Sequence, residues 1–161
     1  MEKGAENPEP CRERRTGSLR LSGVWNAYDK EKGEYHTMKK IESGSLAVML
    51  DEETLGLRIE KDGVVWNTDP KKTPELIFAE GTYRFLDAEE ISHEVYSFGV
   101  GCGIRSRYAG FAGTPYAFET IIWIEAVDET FWMEWIPLCE EGLHPVKVLW
   151  PTAMEFTNGR D

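Results

Sequence analysis

No stretch of the sequence approaches the roughly 20 consecutive apolar residues that a membrane-spanning helix needs. The opening residues, MEKGAENPEPCRERR, also lack the apolar segment of a secretory signal. A soluble, cytoplasmic chain with no membrane partner is therefore expected. Cysteine is scarce: Cys11, Cys102 and Cys139 are far apart and form no CxxC pair, which argues against a disulfide framework or a thiolate zinc site. His36, His93 and His144 are equally isolated, with no HxH or HExxH spacing, so no metal is expected. No GK[ST] follows the glycines and no GxSxG element is present, which removes a phosphate cradle and a serine nucleophile. No cofactor is expected.

Positive charge is also short. The chain carries 18 Lys and Arg against 29 Asp and Glu, a formal net charge of −11. Residues 1 to 40 hold nine basic and seven acidic side chains, whereas residues 41 to 161 hold nine and twenty-two. A field of that sign repels a phosphate backbone, so nucleic acid is excluded as a partner. At 161 residues the chain suits one domain able to bury a core without staples.

Residues 1 to 22 are rich in Glu, Arg, Pro, Gly and Ser and poor in large apolar side chains, which predicts a flexible leader. Its Arg12, Arg14 and Arg15 read as solvated charge. Residues 23 to 161 form the predicted domain. From residue 35, short β-branched and aromatic runs alternate with turn chemistry and leave little room for helices. The expected class is all-β and mainly antiparallel: a β-sandwich or supersandwich, complete or incomplete, with at most one short helix. Strands are predicted at residues 45–51, 55–60, 64–66, 75–79, 82–86, 92–98, 103–109, 118–127, 131–138 and 145–150, with Asp62-Gly63 as a tight hairpin turn. DAEEISHEVY, from Asp87, is the one helical competitor, since Glu90 completes a capping box and Ile91 and Val95 lie at helical spacing.

FETIIWIEAVDETFWMEWIPL carries most of the information. Two apolar strands flank a polar turn at Asp128, Glu129 and Thr130, and a two-residue loop would place Ala126, Ile124 and Ile122 by Met133, Trp135 and Pro137 on a core face. The opposite face would then pair Val127 with Trp132, Glu125 with Glu134, and Trp123 with Ile136. Aromatic rings stack on the C–H faces of a sugar while carboxylates accept from its hydroxyls. Trp123, Glu125, Trp132 and Glu134 are therefore candidate saccharide contacts. Opposed carboxylates also have the spacing a retaining glycosidase uses, although Glu at every second position is equally what a solvent-facing strand contains; no catalytic residue is assigned. In GVGCGIRSRYAGFAGTPY the alternating glycines permit close strand contact, and Arg105, Arg107 and Tyr108 are candidate contacts to a hydroxylated or anionic ligand.

Taken in order, LAVMLDEETLGLRIEKDGVVWNT, SRYAGF, FETIIWIEAVDETFWMEWIPL and VLWPTAMEF resemble the N-terminal galactose-mutarotase-like β-sandwich of bacterial glycoside hydrolases, especially uncharacterised relatives of family 31. The resemblance spans about residues 44 to 157. It implies a sandwich that packs against a catalytic barrel and leaves the catalytic carboxylates to that barrel. The chain has no place for eight strand-helix units, which take about 250 residues, and a truncated product or excised domain is the expectation that follows. The leading functional expectation is a non-catalytic accessory domain of a carbohydrate-active enzyme, with a saccharide and a catalytic barrel or another polypeptide as partners. The alternatives are a free-standing aldose-1-epimerase-like enzyme and a structural interaction domain.

Overall fold

Alternation of buried and half-exposed side chains, the signature of strands with one face on a core, governs nearly the whole structure. The computed structural model describes residues 20–29, 34–69, 71–111, 114–138 and 145–158. Thirteen strands and one short 3-10 turn are seen among them. The strands are β1 (Arg20–Asp29), β2 (Glu34–Ser43), β3 (Leu46–Asp51), β4 (Leu57–Lys61), β5 (Val64–Thr68), β6 (Glu75–Ile77), β7 (Thr82–Arg84), β8 (Ala88–Phe98), β9 (Gly101–Phe111), β10 (Ala117–Glu125), β11 (Thr130–Pro137), β12 (Lys147–Leu149) and β13 (Met154–Asn158), and the 3-10 turn is Phe85–Asp87.

They form a six-stranded sheet in the order β1-β2-β3-β4-β5-β13, a four-stranded sheet in the order β11-β10-β9-β8, and a small sheet in the order β12-β6-β7. All pairings are antiparallel, as the sequence predicts. The Asp62-Gly63 turn joins β4 to β5 with both residues at positive φ, 53° and 80°, the backbone a two-residue hairpin demands. The helical competitor does not form: DAEEISHEVY enters β8 after a single 3-10 turn. Its period is two, with Val95 toward the core and Glu94 and Tyr96 away from it. No helix among the described residues is long and apolar enough to cross a membrane.

Two clusters fill the interior. Between the two larger sheets, Ile41, Leu46, Val48, Leu50, Leu57 and Ile59 meet Cys102, Ile104, Ile122 and Ile124. Beyond them, between the four-stranded and three-stranded sheets, an aromatic cluster gathers Phe78, Phe85, Tyr108, Phe111, Tyr116 and Phe118 around Leu55 and Leu76. Each side chain so buried contributes about 1.5–3 kcal/mol. Cys102 is a free, buried thiol that packs within the first of these clusters. Of the predicted leader, residues 1–19 lie outside the described residues, as do Cys11, Cys139 and His144, while Arg20, Leu21 and Ser22 open β1.

The β10–β11 hairpin exists, but its register differs from the one predicted. Trp123 pairs with Trp132, Ile122 with Met133, and Glu125 with Thr130, so four residues rather than two make the loop. Glu129 sits in that loop at φ 48°. Its carboxylate accepts from the Ser45 hydroxyl at 2.8 Å, and its carbonyl accepts from Lys61 Nζ at 3.0 Å. Contacts to the β2–β3 turn and to the end of β4 thus hold the longer loop in place.

Candidate functional site

The strands of the four-stranded sheet alternate between an inner and an outer face, most cleanly on β10. On β10, Phe118, Thr120, Ile122 and Ile124 are buried against the core, while Glu119, Ile121, Trp123 and Glu125 alternate with them at intermediate exposure. The outer face is therefore built from Tyr96 and Phe98 on β8, Gly101, Gly103, Arg105 and Arg107 on β9, these four β10 residues, and Trp132 and Glu134 on β11. Register aligns Tyr96, Gly103, Trp123 and Trp132 in one row across all four strands.

Gly103 makes that row possible. A Cβ there would stand 2.7 Å from the Tyr96 ring, so the missing side chain lets the phenol lie flat across β9. At Gly101 the same atom would collide with the Ile124 carbonyl. The aromatic side chains then form a continuous strip. Tyr96 and Phe98 are 5.6 Å apart, Phe98 meets Trp123 edge-on at 5.5 Å, and the Trp123 and Trp132 indoles stack at 5.6 Å with their planes 13° apart. Trp132 remains 47% exposed and ends this contiguous strip, so the informative feature is the aromatic patch and not one exposed ring.

A charged row borders the strip. Trp123 Nε1 donates to Glu134 Oε1 at 3.3 Å. Arg105 bridges Glu94 at 3.3 Å and Glu119 at 3.8 Å, and its guanidinium lies 5.3 Å from the Tyr96 ring centre, a cation–π distance. Arg107 follows on the same face in register with Ser92 and Glu119. Burial pushes the Tyr96 phenol above its ordinary value, against the pull of Arg105. The recess lined by Tyr96, Phe98, Ile121, Trp123 and Glu134 holds about 220 Å³. Drug-sized ligands occupy pockets of about 300–1,000 Å³, so this face is a platform on which a ring can rest, not an enclosed reaction chamber.

Of the predicted contacts, Trp123, Trp132, Glu134, Arg105 and Arg107 share this face. Glu125 shares the face but not the neighbourhood. It opposes Thr130, whereas Glu134 opposes Ile121; four residues of strand, about 13 Å, separate the backbone positions of the two glutamates along the sheet. Both glycosidase spacings, about 5–5.5 Å and about 6.5–9.5 Å, are shorter than that. The opposed pair expected from a two-residue loop is therefore corrected.

Tyr108 is turned the other way. It is fully buried, stacked on Phe118 at 4.8 Å, and it cannot reach a ligand on the outer face. Its phenol is pushed up to about 12 by burial; the Ser106 and Thr120 hydroxyls beside it oppose the shift, yet neither completes a hydrogen bond to it. His93 also belongs to the inner side: its Nδ1 lies 2.7 Å from Ser106 Oγ, and burial lowers its basicity, partly offset by Glu52. Sequence reasoning missed Tyr96, Phe98, Glu94 and Glu119. The alternation in EVYSF next to the glycine run could have identified the two aromatics. Among the described residues no three His, Cys, Asp or Glu side chains are placed to hold a metal ion.

Fold and surface together define an antiparallel β-sandwich that carries an aromatic and charged platform on its four-stranded sheet. No family model matches the chain, and no curated protein matches it. Solved structures of alpha-N-acetylgalactosaminidase NagBb from Bifidobacterium bifidum do match. Its GalNAc complex superimposes with a TM-score of 0.68 at 36% identity, covering 73% of this chain and 18% of that one. The Gal-NHAc-DNJ complex gives 0.68, 37%, 73% and 19%, and the ligand-free form 0.67, 36%, 73% and 19%. The chain is thus related in sequence and fold to one part of a glycoside hydrolase, and it spans less than a fifth of the length of the solved chains it matches.

Proposed function

We propose that this chain is a non-catalytic β-sandwich portion of a glycoside hydrolase, of the galactose-mutarotase-like kind, working beside a separate catalytic domain. The observation that carries the reading is the 36% identity over 73% of this chain set against 18% of the relative. The distance between Glu125 and Glu134, and the pairing of Arg105 with Glu94 and Glu119, agree with a supporting role. An antibody to the chain is expected to detect, in native extract of the source cells, a polypeptide or complex well above 18.4 kDa that hydrolyses an α-N-acetylgalactosaminide. A free species of that mass, without an associated hydrolase, would overturn the reading.

A finer reading concerns the platform. The exposed Trp132 ring, with Glu134 and Arg105 alongside, suits the apolar face and hydroxyls of a pyranose, and N-acetylgalactosamine is the sugar the relative suggests. Titration with N-acetylgalactosamine-terminated glycans should change the tryptophan emission saturably. Trp132→Ala should weaken binding by about tenfold or more, a loss of about 1.4 kcal/mol. Binding that survives this change undiminished would remove the platform from consideration.

A further inference from the structure

The two larger sheets differ in width, and the mismatch leaves one flank of the sandwich open. Along one row of the inner face of the six-stranded sheet, Ile41, Val48, Ile59, Trp66 and Phe156 stand side by side in register. Ile41 and Val48 are fully buried, Ile59 is 8% exposed, Trp66 is half-buried, and Phe156 is 71% exposed. The inner face therefore runs out from under its covering sheet at β5 and β13. Between that overhang and β11 lies a groove of about 520 Å³ lined chiefly by Ile59, Trp66, Phe131 and Met154, with Lys61 and Glu129 at its end.

The backbone of β11 faces this opening. Leu138 N–H donates to the Ala117 carbonyl at 2.9 Å, which fixes the parity of the ladder: residues 130, 132, 134 and 136 bond to β10. Phe131, Met133 and Trp135 consequently aim N–H and C=O away from β10, where no strand pairs with them among the described residues. Asp69 N–H donating to the Ala153 carbonyl at 3.1 Å fixes β13 likewise, leaving Met154 and Phe156 with their backbone groups outward. An unpaired edge standing over an apolar overhang is a template for one more strand.

Resting on the reading that the chain is one part of a larger hydrolase, we propose that a strand from the remainder of that enzyme pairs with the free edge of β11 and roofs the groove over Trp66 and Met154. Strands lie about 4.8 Å apart within a sheet and sheets about 10 Å apart, so a strand added to β11 sits over β5 and β13 at packing distance. Apolar side chains at every second position would fill the groove. More than four-fifths of the relative's chain lies outside the match, ample length to supply such a strand. A second copy fits poorly. Antiparallel pairing of β11 with its own copy needs a two-fold axis normal to the sheet, which brings both six-stranded sheets to the same side and drives their overhanging edges together. Pro137, which lacks a donor on this edge, limits pairing to Phe131–Trp135.

Hydrogen exchange of the segment 131–137 tests the proposal, measured in the isolated 161-residue chain and in the native hydrolase assembly. The Phe131, Met133 and Trp135 amides should exchange about 100-fold more slowly in the assembly. An assembly in which they exchange as fast as in the isolated chain overturns the added strand but leaves the accessory role standing. Finding the chain only free overturns both. Protection that instead rises with concentration in the isolated chain, with a doubled mass, assigns the edge to a second copy and overturns the proposal as well.

Discussion

Tyr108 shows how one residue couples packing to pH. Its ring is held by Phe118 at 4.8 Å and meets Phe85 edge-on at 5.2 Å, while its hydroxyl completes no hydrogen bond. Burial raises the phenol to about 12 from its ordinary 10. Between those values the unfolded chain has released the proton and the folded chain still holds it. The native state then binds more protons, so stability falls as pH rises through this window and is undiminished below about pH 10. At 1.36 kcal/mol per unit, the loss amounts to about 2–3 kcal/mol. Urea unfolding should show this decline in the wild-type chain and a correspondingly smaller one in Tyr108→Phe. At pH 7 the variant should match the wild type or exceed it by up to about 1 kcal/mol. Equal alkaline losses in the two proteins would contradict this account. The same residue marks a limit of sequence reading, since Arg105 and Arg107 share a strand parity that Tyr108 does not. Alternation alone would have turned it inward.

At the scale of elements, the faces were more legible than the register. The observed β10–β11 pairing differs from the predicted one by two residues of loop, and an even change moves every partner while leaving every side chain on its face. Trp123, Trp132 and Glu134 therefore stayed together on the outer side, while every predicted pairing, that of Glu125 with Glu134 included, was replaced. Loop length was not legible, because Glu129 is fixed by Ser45, in the β2–β3 turn, and by Lys61, at the end of β4, residues far away in the chain. DAEEISHEVY satisfied a local helical pattern as well as a strand pattern; pairing with β9, which supplies its hydrogen bonds, decided between them. Three strands escaped notice. In β1, β2 and β13, polar and charged residues such as Asn26, Lys39, Lys40 and Glu155 interrupt the apolar text, and their membership depends on neighbours across the sheet. Tyr96 and Phe98 escaped the predicted site for a related reason. Their place beside Trp123 follows only once β8, β9 and β10 are laid side by side.

Over the whole molecule, the two interior clusters share few residues, and Trp150 packs against both. It lies where the chain passes from β12, in the three-stranded sheet, to β13, in the six-stranded sheet, with its ring 6.1 Å from that of Phe85. Removing the indole opens a void between the two cores as well as within each. Trp150 is half-buried, so Trp150→Ala should cost about 3 kcal/mol, the low end of the range for a buried Trp, and the two ends of the sandwich should begin to unfold separately. Trp150→Phe keeps a ring in the gap and removes an indole N–H that is buried without a partner, so its cost should be well below that of the alanine change. Denaturant titrations followed both by aromatic circular dichroism, which reports the Phe and Tyr cluster, and by far-ultraviolet signal, which reports all the sheets, would distinguish these outcomes. Coincident transitions in the wild type and separated ones in Trp150→Ala are expected. A loss below about 1 kcal/mol in Trp150→Ala, less than the usual range for a buried Trp truncation, with the transitions still coincident, would mean that the sheets are joined elsewhere, and the β10–β11 loop held by Ser45 and Lys61 would be the next connection to cut.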